Sequence, residues 1–372
     1  MLKDKIKILC CGGATGGHLY PAIALCETFQ QKLGHERTDI LFIGSQYGLE
    51  SKVLPKQEYN FKAIWIRGIQ RGWGWRQIKV NLLAPFRILV SLIQSYLYIK
   101  SFNPRLAIGT GGYSAGPPLY IADKLDIPIF LQEQNVYPGL TNRLLAKKAI
   151  KVYTAYKETQ QYLENTDNKG IPLRSSLKKI KQERALNYFG LDEDKKTIFV
   201  FGGSQGSLAL NNFLENNIKA IIEDFDCQFI WQTGSKHFSA FKDNFKEDKN
   251  IYLTPYIDRM DRAYSACDLV LSRAGALTLA EICEFGLPSI LVPLPTAAAN
   301  HQEKNARGLE KQEAAVVLPE KNLNYQEFSG ILQSYLPHPG ELKKMGNNAR
   351  QLSNPDAATE IVNDIISILE IK

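Results

Sequence analysis

The amino-acid sequence predicts an α/β protein with two doubly wound parallel sheets, and three observations support this fold class. The chain of 372 residues is longer than one hydrophobic core usually serves, which indicates two domains. Short apolar segments alternate with helical patterns, as is typical of parallel sheets covered by helices on both faces. A strand, a Gly-Gly-x-x-Gly turn and a helix follow one another at residue 12 and again at residue 202. We therefore expect two Rossmann-like domains that face each other across a cleft.

Bulk composition excludes several classes of protein. Hydrophobic residues make up 44% of the chain and charged residues 22%, as in an ordinary globular protein. The six cysteines are scattered without a C-x-x-C pair, so we expect no disulfide framework and a reducing cytoplasm. Residues 1–5 run directly into a strand, which argues against a signal peptide. No apolar run has the length of a transmembrane helix, so the chain is not expected to span a membrane.

The order of elements follows from apolar periodicity and turn residues. A first strand at 6–10 leads through the glycine turn into a helix that ends near residue 33. Further strands of the first half are predicted at 39–44, 61–66, 106–109, 128–131 and 150–153, and those of the second half at 197–201, 227–232, 251–254, 269–272, 289–292 and 315–318. The last helix is predicted to begin with Asn354 as N-cap and Pro355 at its first position.

Domain boundaries are placed where this alternation stops. Residues 165–176 are polar and contain Gly170 and Pro172, which indicates a linker. We place the first domain at 1–168 and the second at 169–354. A C-terminal helix over about 355–372 is expected to pack back on the first domain.

The first glycine loop, residues 11–18, is predicted to bind an anion. Its four glycines let backbone N–H groups approach a ligand, and the helix N-terminus that follows favours negative charge. The loop is not the dinucleotide fingerprint, because Gly12 and Gly13 are adjacent and Ala14 stands where the second glycine belongs. A tight strand-to-helix turn would explain a single loop of this kind equally well.

Three segments of the second half suit a nucleotide sugar. Ser204 and Gln205 add side-chain donors to the second glycine loop, as a diphosphate requires. Glu281 follows the small residues 272–278 and could accept both hydroxyls of a ribose, although a capping glutamate would look similar. The amides over 300–305 suit sugar hydroxyls, although a polar helix start would also explain them. The second loop, with Glu281 downstream in its own domain, is therefore the better site for the ribose and diphosphate of a nucleotide.

No metal site is predicted. The two Asp-x-Asp pairs, at 192–194 and 224–226, precede strands and therefore lie at the amino-terminal edge of the sheet, where solvated charge explains them. Many sugar-transferring enzymes use such a metal to stabilise the negative charge of the leaving group. Without one, we expect helix N-termini and Arg273 or Arg174 to stabilise that charge.

A basic and aromatic stretch predicts contact with an anionic membrane surface. Between Arg67 and Lys100 there are six basic residues and no acidic one. The residues expected at the membrane are Trp73, Trp75, Lys79, Leu82 and Phe86. Residues 88–99 are apolar nearly all round and are expected in the core. Nucleic acid is disfavoured because the run lacks polar base-reading residues.

Together and in this order, these residues resemble one family closely, the bacterial UDP-N-acetylglucosamine:lipid I N-acetylglucosaminyltransferases (MurG), which make the peptidoglycan precursor lipid II. The resemblance spans nearly the whole chain. The motifs that carry it are Gly-Gly-Ala-Thr-Gly-Gly-His at 12–18, Gly-Thr-Gly-Gly-Tyr-Ser-Ala-Gly-Pro at 109–117, Glu-Gln-Asn at 133–135, Gly-Leu-Thr-Asn at 139–142, Gly-Gly-Ser-Gln-Gly at 202–206, Arg-Ala-Gly-Ala-Leu-Thr at 273–278 and Asn-His-Gln at 300–302.

This resemblance implies the GT-B fold, transfer with inversion at the sugar carbon, and no metal or other cofactor. It implies that the second domain binds UDP-N-acetylglucosamine, with the backbone of Ile257 on the uracil, Glu281 on the ribose, and Gln302 with Asn305 on the sugar. The matched donor positions are Thr15, Gly16, Gly17, Asn135, Arg174, Ser204, Gln205, Gly206, Ile257, Ala276, Leu277, Thr278, Glu281, Gln302 and Asn305, of which the first five reach across the cleft.

The first domain, including Tyr113, is implied to hold the acceptor lipid I at the cytoplasmic face of the plasma membrane as a peripheral protein, with cell-wall synthesis proteins as candidate partners. The sequence departs from the family at two positions. Gln132 replaces the histidine that commonly precedes Glu133, so no histidine there can assist catalysis. Ile171 replaces the asparagine of the usual Asn-Pro-x-Arg, which leaves that asparagine's role unfilled.

The reaction needs a base to remove the proton from the 4-hydroxyl of the lipid-linked muramoyl sugar as it attacks the anomeric carbon. His18 alone among the five histidines lies in a loop of the acceptor domain that is expected to face the cleft, and imidazoles titrate near neutral pH. We predict that His18 is the base. In the alternative, Glu133 is the base and His18 binds the acceptor diphosphate.

Rival functions share parts of this pattern. Another GT-B lipid glycosyltransferase would share the donor half, as would a UDP-N-acetylglucosamine 2-epimerase, which has no need of the basic apolar stretch. A non-catalytic membrane-bound nucleotide-sugar sensor would bind the donor without releasing UDP. A nicotinamide dehydrogenase is disfavoured by the broken fingerprint in both loops.

Overall fold

The computed structural model describes residues 5–69, 74–75, 81–245 and 247–371, and the chain divides into two compact units. The first unit is Met1–Ser175 with Asn354–Lys372, and the second is Ser176–Ser353. The first boundary lies seven residues beyond the predicted one because residues 169–175 are bonded to the first unit. Lys169 N donates to Thr154 O, and both the backbone N–H and the hydroxyl of Ser175 donate to Glu27.

The first unit contains a parallel sheet of seven strands in its described part, in the order β3-β2-β1-β4-β5-β6-β7. The strands are β1 (Ile6–Gly12), β2 (Thr38–Ser45), β3 (Asn60–Ile64), β4 (Leu106–Gly111), β5 (Ile129–Glu133), β6 (Lys151–Thr154) and β7 (Thr166–Asn168). Its helices include α1 (Gly16–Leu33), α2 (Glu50–Val53), α3 (Ala84–Phe102), α4 (Gly116–Lys124) and α5 (Leu140–Leu145). The strand order reverses between β1 and β4, which is where such sheets bind ligands. The first glycine loop leaves the sheet at that point.

The second unit repeats this plan with six parallel strands in its described part, in the order β10-β9-β8-β11-β12-β13. The strands are β8 (Lys196–Phe201), β9 (Cys227–Gln232), β10 (Ile251–Thr254), β11 (Leu269–Ser272), β12 (Ser289–Leu291) and β13 (Val316–Val317). The helices are α6 (Gln182–Phe189), α7 (Leu208–Phe225), α8 (Phe238–Phe245), α9 (Met260–Ala266), α10 (Ala276–Phe285), α11 (His301–Glu310), α12 (Tyr325–Tyr335) and α13 (Pro339–Gln351). The order reverses between β8 and β11, so the second glycine loop also leaves its sheet at the switch point.

The predicted linker at 165–176 is wrong in part, because it contains β7, which pairs with β6. The start of the last helix, α14 (Ala357–Ile368), is also later than predicted. Asn354 does not cap it, since its side-chain oxygen accepts from Asp356 N and its amide nitrogen donates to Lys169 O. These bonds form a turn ahead of the helix.

Helix α14 belongs to the first unit, where Ile361, Val362 and Ile365 are buried in the core around β1 and α1. Asp364 fixes its orientation by accepting hydrogen bonds from Lys151 Nζ (2.8 Å) and Tyr153 Oη (2.7 Å). Burial raises the pKa of Asp364, but these two bonds outweigh it and lower that pKa below its ordinary value. The ionised carboxylate therefore stabilises the docked helix.

Helix α3 has an unusual distribution of polarity. Its buried side is the stripe Arg87, Ser91, Ser95 and Ile99, in which both serine hydroxyls donate to carbonyls of their own helix. Its exposed side carries large apolar residues, namely Leu82 and Leu83 just before it and Phe86, Ile88, Leu89, Ile93 and Leu97 within it. The expectation that 88–99 lie in the core therefore holds for Ser91, Ser95 and Ile99 and is wrong for the large apolar residues Ile88, Leu89, Ile93 and Leu97. No helix among the described residues is long and apolar enough to cross a bilayer.

Candidate active site

The first half-site is the loop 12–18 at the carboxyl end of β1. Thr15 is extended, α1 begins at Gly16, and no acidic residue occupies its first turn. The first N–H groups of a helix lack partners within it, so this N-terminus favours an anion. One N–H of the predicted anion site is already used, however, because Ala14 N donates to the Glu50 carboxylate at 2.7 Å. Ala14 N is therefore not available to an external anion.

His18 is held on the first turn of α1 by contacts on two sides. Its Nδ1 lies 2.9 Å from Thr15 Oγ1, and Thr110 Oγ1 donates to its carbonyl oxygen. The ring lies against Gly111, where an added Cβ would stand 2.7 Å from His18 Cδ2. Gly111 also has a φ of +97°, so glycine is required there on two grounds. The imidazole therefore has a defined position between α1 and the loop after β4.

Glu133, the alternative base, is surrounded by donors at the end of β5. Its side chain is 1% exposed. Oε1 accepts from Asn135 N (2.9 Å) and Asn135 Nδ2 (3.1 Å), and Oε2 accepts from Gly139 N (3.0 Å) and Asn142 Nδ2 (2.8 Å). These four hydrogen bonds occupy the lone pairs of both carboxylate oxygens. The geometry favours a carboxylate that shapes the loop 133–142 over one that receives a proton.

The other predicted residues of the first unit lie at several places. The guanidinium of Arg174 stacks over the Tyr20 ring on α1, 3.9 Å from its centroid. Tyr113 packs against Gly68. Trp75 and Leu82 are about four-fifths exposed, and Phe86 is more than half exposed. Trp73 and Lys79 lie outside the described residues. The predicted contacts of Thr15, Gly16, Gly17, Asn135 and Arg174 with a donor bound by the second unit stay predictions.

The second half-site is built on the loop between β8 and α7. Ser204 is half-buried and Gln205 is exposed. Gly206 has a φ of +76°, and an added Cβ would stand 1.9 Å from Thr233 O, so only glycine fits. Ser207 caps α7 by accepting from Leu210 N. No acidic residue occupies the first turn of α7, which leaves the positive end of its dipole available to a phosphate.

Glu281 lies on the second turn of α10, whose first turn comprises Ala276, Leu277 and Thr278 and has no acidic residue. Its side chain is 5% exposed, and Oε2 accepts a hydrogen bond from Tyr264 Oη at 2.8 Å. Because Glu281 is buried and accepts a hydrogen bond from a tyrosine, it is not the solvated capping glutamate of the alternative explanation. Tyr264 fixes the rotamer of Glu281.

The segment at Ile257 is joined to the glycine loop through Gln232 at the end of β9. Gln232 Oε1 accepts from Ile257 N (2.9 Å), and Gln232 Nε2 donates to Gly203 O (3.1 Å). The backbone N–H of Ile257 is therefore used within the unit, and a contact with a base would fall to its carbonyl oxygen.

The segment 300–305 contains the start of α11. Gln302 of this segment lines a cavity of about 620 Å³ together with Gly206 and Arg273. Gln302 Oε1 accepts from Leu294 N. Asn305 is 1% exposed, and neither polar atom of its amide has a hydrogen-bond partner among the described residues. A buried amide without partners is costly, which suggests that this amide bonds to a ligand or water.

The three guanidinium nitrogens of Arg273 are all bonded within the second unit, although the residue also lines the cavity. Its Nε donates to Ser207 Oγ, Nη1 donates to the carbonyls of Val292 and Pro293, and Nη2 pairs with Glu320. It ties the glycine loop to the end of β12. Among the described residues no group of three His, Cys, Asp or Glu side chains could hold a metal ion.

Residues 8–154 match the glycosyltransferase family 28 N-terminal domain, and residues 197–361 match the C-terminal domain of the same family. The chain belongs to glycosyltransferase family 28. The UDP-N-acetylglucosamine--N-acetylmuramyl-(pentapeptide) pyrophosphoryl-undecaprenol N-acetylglucosamine transferase of Christiangramia forsetii is 36% identical to it over 375 residues, with 100% of both chains covered. This and similar full-length relatives confirm the MurG resemblance.

Solved structures confirm the GT-B fold. The crystal structure of Acinetobacter baumannii MurG has a TM-score of 0.71 and 26% identity, covering 98% of this chain and 100% of that one. A Neisseria meningitidis UDP-GlcNAc 2-epimerase bound to UDP-GlcNAc has a TM-score of 0.67, but at 12% identity over 97% and 100% of the chains it shares the fold alone. This family 28 member is a glycosyltransferase.

Three residues of this glycosyltransferase were missed by the sequence interpretation, namely Glu50, Gln232 and Tyr264. Each contacts a predicted site segment from another part of the chain. The only available sequence signal was their position near the ends of strands or on the helices that follow, which many residues share.

Proposed function

We propose that this chain transfers N-acetylglucosamine from UDP-N-acetylglucosamine to the 4-hydroxyl of the muramoyl sugar of lipid I, which gives lipid II and UDP, with inversion and without a metal ion. The observation that carries the proposal is the set of groups that follow β8, β11 and β12 in the second unit. They are the N-termini of α7 and α10, the buried Glu281 carboxylate and the unpartnered amide of Asn305.

Each of these groups suits one part of a UDP-sugar. The two helix N-termini, free of acidic residues, favour a diphosphate. Glu281 can accept bonds from ribose hydroxyls, because a carboxylate is an acceptor only. Asn305 and Gln302 offer amides to the hydroxyls of the sugar. The carbonyl of Ile257 would contact the uracil.

We assign the base of the reaction to His18 in the first unit. The acceptor oxygen forms a bond to the anomeric carbon as the bond from that carbon to the diphosphate breaks, and UDP leaves with the electron pair. The hydroxyl proton passes to His18 Nε2, provided that Nδ1 carries a hydrogen and donates it to Thr15 Oγ1. A single displacement of this kind inverts the anomeric configuration. Glu133 keeps the loop 133–142 in place.

We assign the stabilisation of the leaving diphosphate to the N-termini of α7 and α10, because the nitrogens of Arg273 are engaged within the unit. Fixed N–H dipoles of this kind replace the charge that a metal ion would supply.

The test of this function is release of UDP in the presence of lipid I. We expect turnover with lipid I, none without acceptor, and the same rate after addition of EDTA. Loss of turnover with EDTA would contradict the metal-free mechanism. Binding of the donor without UDP release would indicate a sensor, and acceptor-independent change of the donor sugar would indicate an epimerase.

We also propose that the exposed apolar side of α3 docks the protein on the cytoplasmic face of the plasma membrane. Seven large apolar residues in and just before one helix exceed the scattered exposure of ordinary surfaces. Lys100 lies in the last turn of the same helix, and the chain carries a net charge of +7, which suits anionic lipid headgroups.

Replacing Leu89 and Ile93 together by glutamine is expected to weaken binding to anionic vesicles by at least about tenfold, since each side chain loses apolar burial. Both side chains are more than half exposed, so the fold should be kept. Co-sedimentation with vesicles measures the effect. Leu352→Gln, at an exposed apolar position of the second unit, is the matched control and should bind as the wild type does. Equal binding by the double variant would exclude α3 as the docking surface.

A further inference from the structure

A buried acidic side chain stands behind the first glycine loop. Glu50, the first residue of α2, has no exposed surface. Its Oε2 accepts from Ala14 N at 2.7 Å and its Oε1 accepts from Ser45 N at 2.9 Å. The carboxylate therefore joins the loop after β1 to the end of β2.

Three glycines make room for this carboxylate. A Cβ added at Gly13, Gly44 or Gly48 would stand 2.4, 2.7 or 2.1 Å from atoms of the Glu50 side chain. Glycine is therefore required at position 13 because the Glu50 side chain packs against it. This contact explains why Gly12 is followed directly by a second glycine, unlike the dinucleotide fingerprint. The segment 44–50 and the loop 12–18 therefore pack against each other through the Glu50 side chain.

The burial of Glu50 has a desolvation cost that two hydrogen bonds from the backbone offset. Among the described residues it forms no ion pair, and its hydrogen bonds come from backbone N–H groups. A buried carboxylate without a cation is unfavourable unless hydrogen bonds compensate for lost hydration. Such a group also holds Ala14 in its left-handed conformation, with a φ of 71°.

The position of His18 depends on this loop. Ala14, bonded to Glu50, precedes Thr15, whose hydroxyl contacts the His18 ring. On the other side Thr110 holds the carbonyl of His18. Glu50 and Thr110 therefore fix the two ends of the segment 14–18.

We propose that Glu50 is a positioning residue of the acceptor half-site, whose buried carboxylate holds the loop 12–18 so that His18 meets the acceptor hydroxyl. This proposal rests on the proposed function for the role of His18. A displacement of about 1 Å at a reacting group can lower a rate about a hundredfold, so the loop need not unfold for activity to fall.

The test compares Glu50→Gln with the wild type. A glutamine of the same size can accept at only one of the two positions, so either Ala14 N or Ser45 N loses its partner. We expect kcat with lipid I to fall by about tenfold to a hundredfold, with the KM for UDP-N-acetylglucosamine within about twofold. The acid limb of the pH–rate profile and the NMR titration of His18 should also shift.

Asp364→Asn is the matched control, because Asp364 is another carboxylate of the first unit with a structural role. It should lower the melting temperature and leave kcat and the His18 titration unchanged. If Glu50→Gln behaves in the same way, the positioning role is wrong. Should Glu50→Gln fail to fold, Gly13→Ala displaces the carboxylate without removing it and should give the same loss of kcat. A folded Gly13→Ala variant with wild-type kcat would overturn the proposal.

Two readouts separate this proposal from the proposed function. Absence of wild-type turnover with lipid I would contradict the function, and with it the acceptor role of His18. The His18 titration needs no acceptor, so an unchanged titration in Glu50→Gln would overturn the positioning role whatever the wild type's activity.

Discussion

Replacing His18 by alanine is expected to lower kcat by about a hundredfold to ten-thousandfold, the range that a general base contributes. The KM for UDP-N-acetylglucosamine should change by less than about twofold, because the groups assigned to the nucleotide lie in the second unit. Turnover at saturating lipid I is measured as UDP release. The acid limb of the pH–rate profile should be lost, since it reports protonation of the base in the wild type.

His35→Ala is the matched control for this variant, since His35 is an exposed histidine of the first unit and has no assigned role. Near-normal turnover by His18→Ala at saturating acceptor would show that His18 is not the base. Retention of the acid limb in His18→Ala and its loss in Glu133→Gln would assign the base to Glu133. We instead expect Glu133→Gln to lose activity and to keep the acid limb of the pH–rate profile. The Glu133 side chain holds the loop 133–142 through its hydrogen bonds and does not exchange a proton with the substrate.

The alternation of strands and helices and both glycine loops could be predicted because they depend on local patterns. Buried parallel strands read as apolar runs, and glycine turns after β1 and β8 mark the start of a helix. The topology then places both loops at switch points without any knowledge of side-chain contacts. The edge strand β7 was missed because its residues, Thr-Asp-Asn, are polar and half-buried.

Helix α3 shows why burial was harder to predict than helicity. Hydrophobicity alone places the leucines and isoleucines of 88–99 inside. The helix instead turns inward the stripe in which serines satisfy their hydroxyls on its own carbonyls, leaving the bulky residues outside. A short polar residue that bonds to its own helix carries little desolvation cost, so the buried face of α3 can be polar and hydrophobicity alone does not predict which face is buried.

Residues that support the site from a distance could not be predicted at all. Glu50 lies 36 positions from Ala14, and Tyr264 lies 17 positions from Glu281. Parallel sheets bring the ends of strands together in space while the chain between them forms helices. Contacts of this kind follow from the fold and leave no local sequence pattern.

Replacing Glu281 by glutamine is expected to raise the KM for UDP-N-acetylglucosamine by about tenfold to a hundredfold, with a smaller effect on kcat. A hydrogen bond to a charged group contributes about 1.5–3 kcal/mol, and each 1.4 kcal/mol corresponds to about tenfold in affinity. Glutamine keeps the volume of the buried side chain, so the loss reports the carboxylate and not a cavity. Steady-state kinetics with varied donor measures it.

The identity of the donor group that Glu281 binds can be tested with 2′-deoxy-UDP as an inhibitor. The wild type should prefer UDP, because the deoxy compound leaves the buried carboxylate short of one partner. Glu281→Gln should lose most of that preference. Glu284→Gln, one turn further along α10 and bonded to Arg350 and Ser353, is the matched control and should keep both the KM and the preference.

Tyr264→Phe separates the position of the carboxylate from its charge. The variant removes only the hydroxyl that donates to Glu281, so Glu281 keeps its charge and loses its fixed rotamer. We expect an intermediate rise in KM, and no further rise when Tyr264→Phe is added to Glu281→Gln, because the two residues act as one unit. Full additivity would show that the tyrosine acts elsewhere, and an unchanged preference for UDP in Glu281→Gln would show that the carboxylate does not bind the ribose.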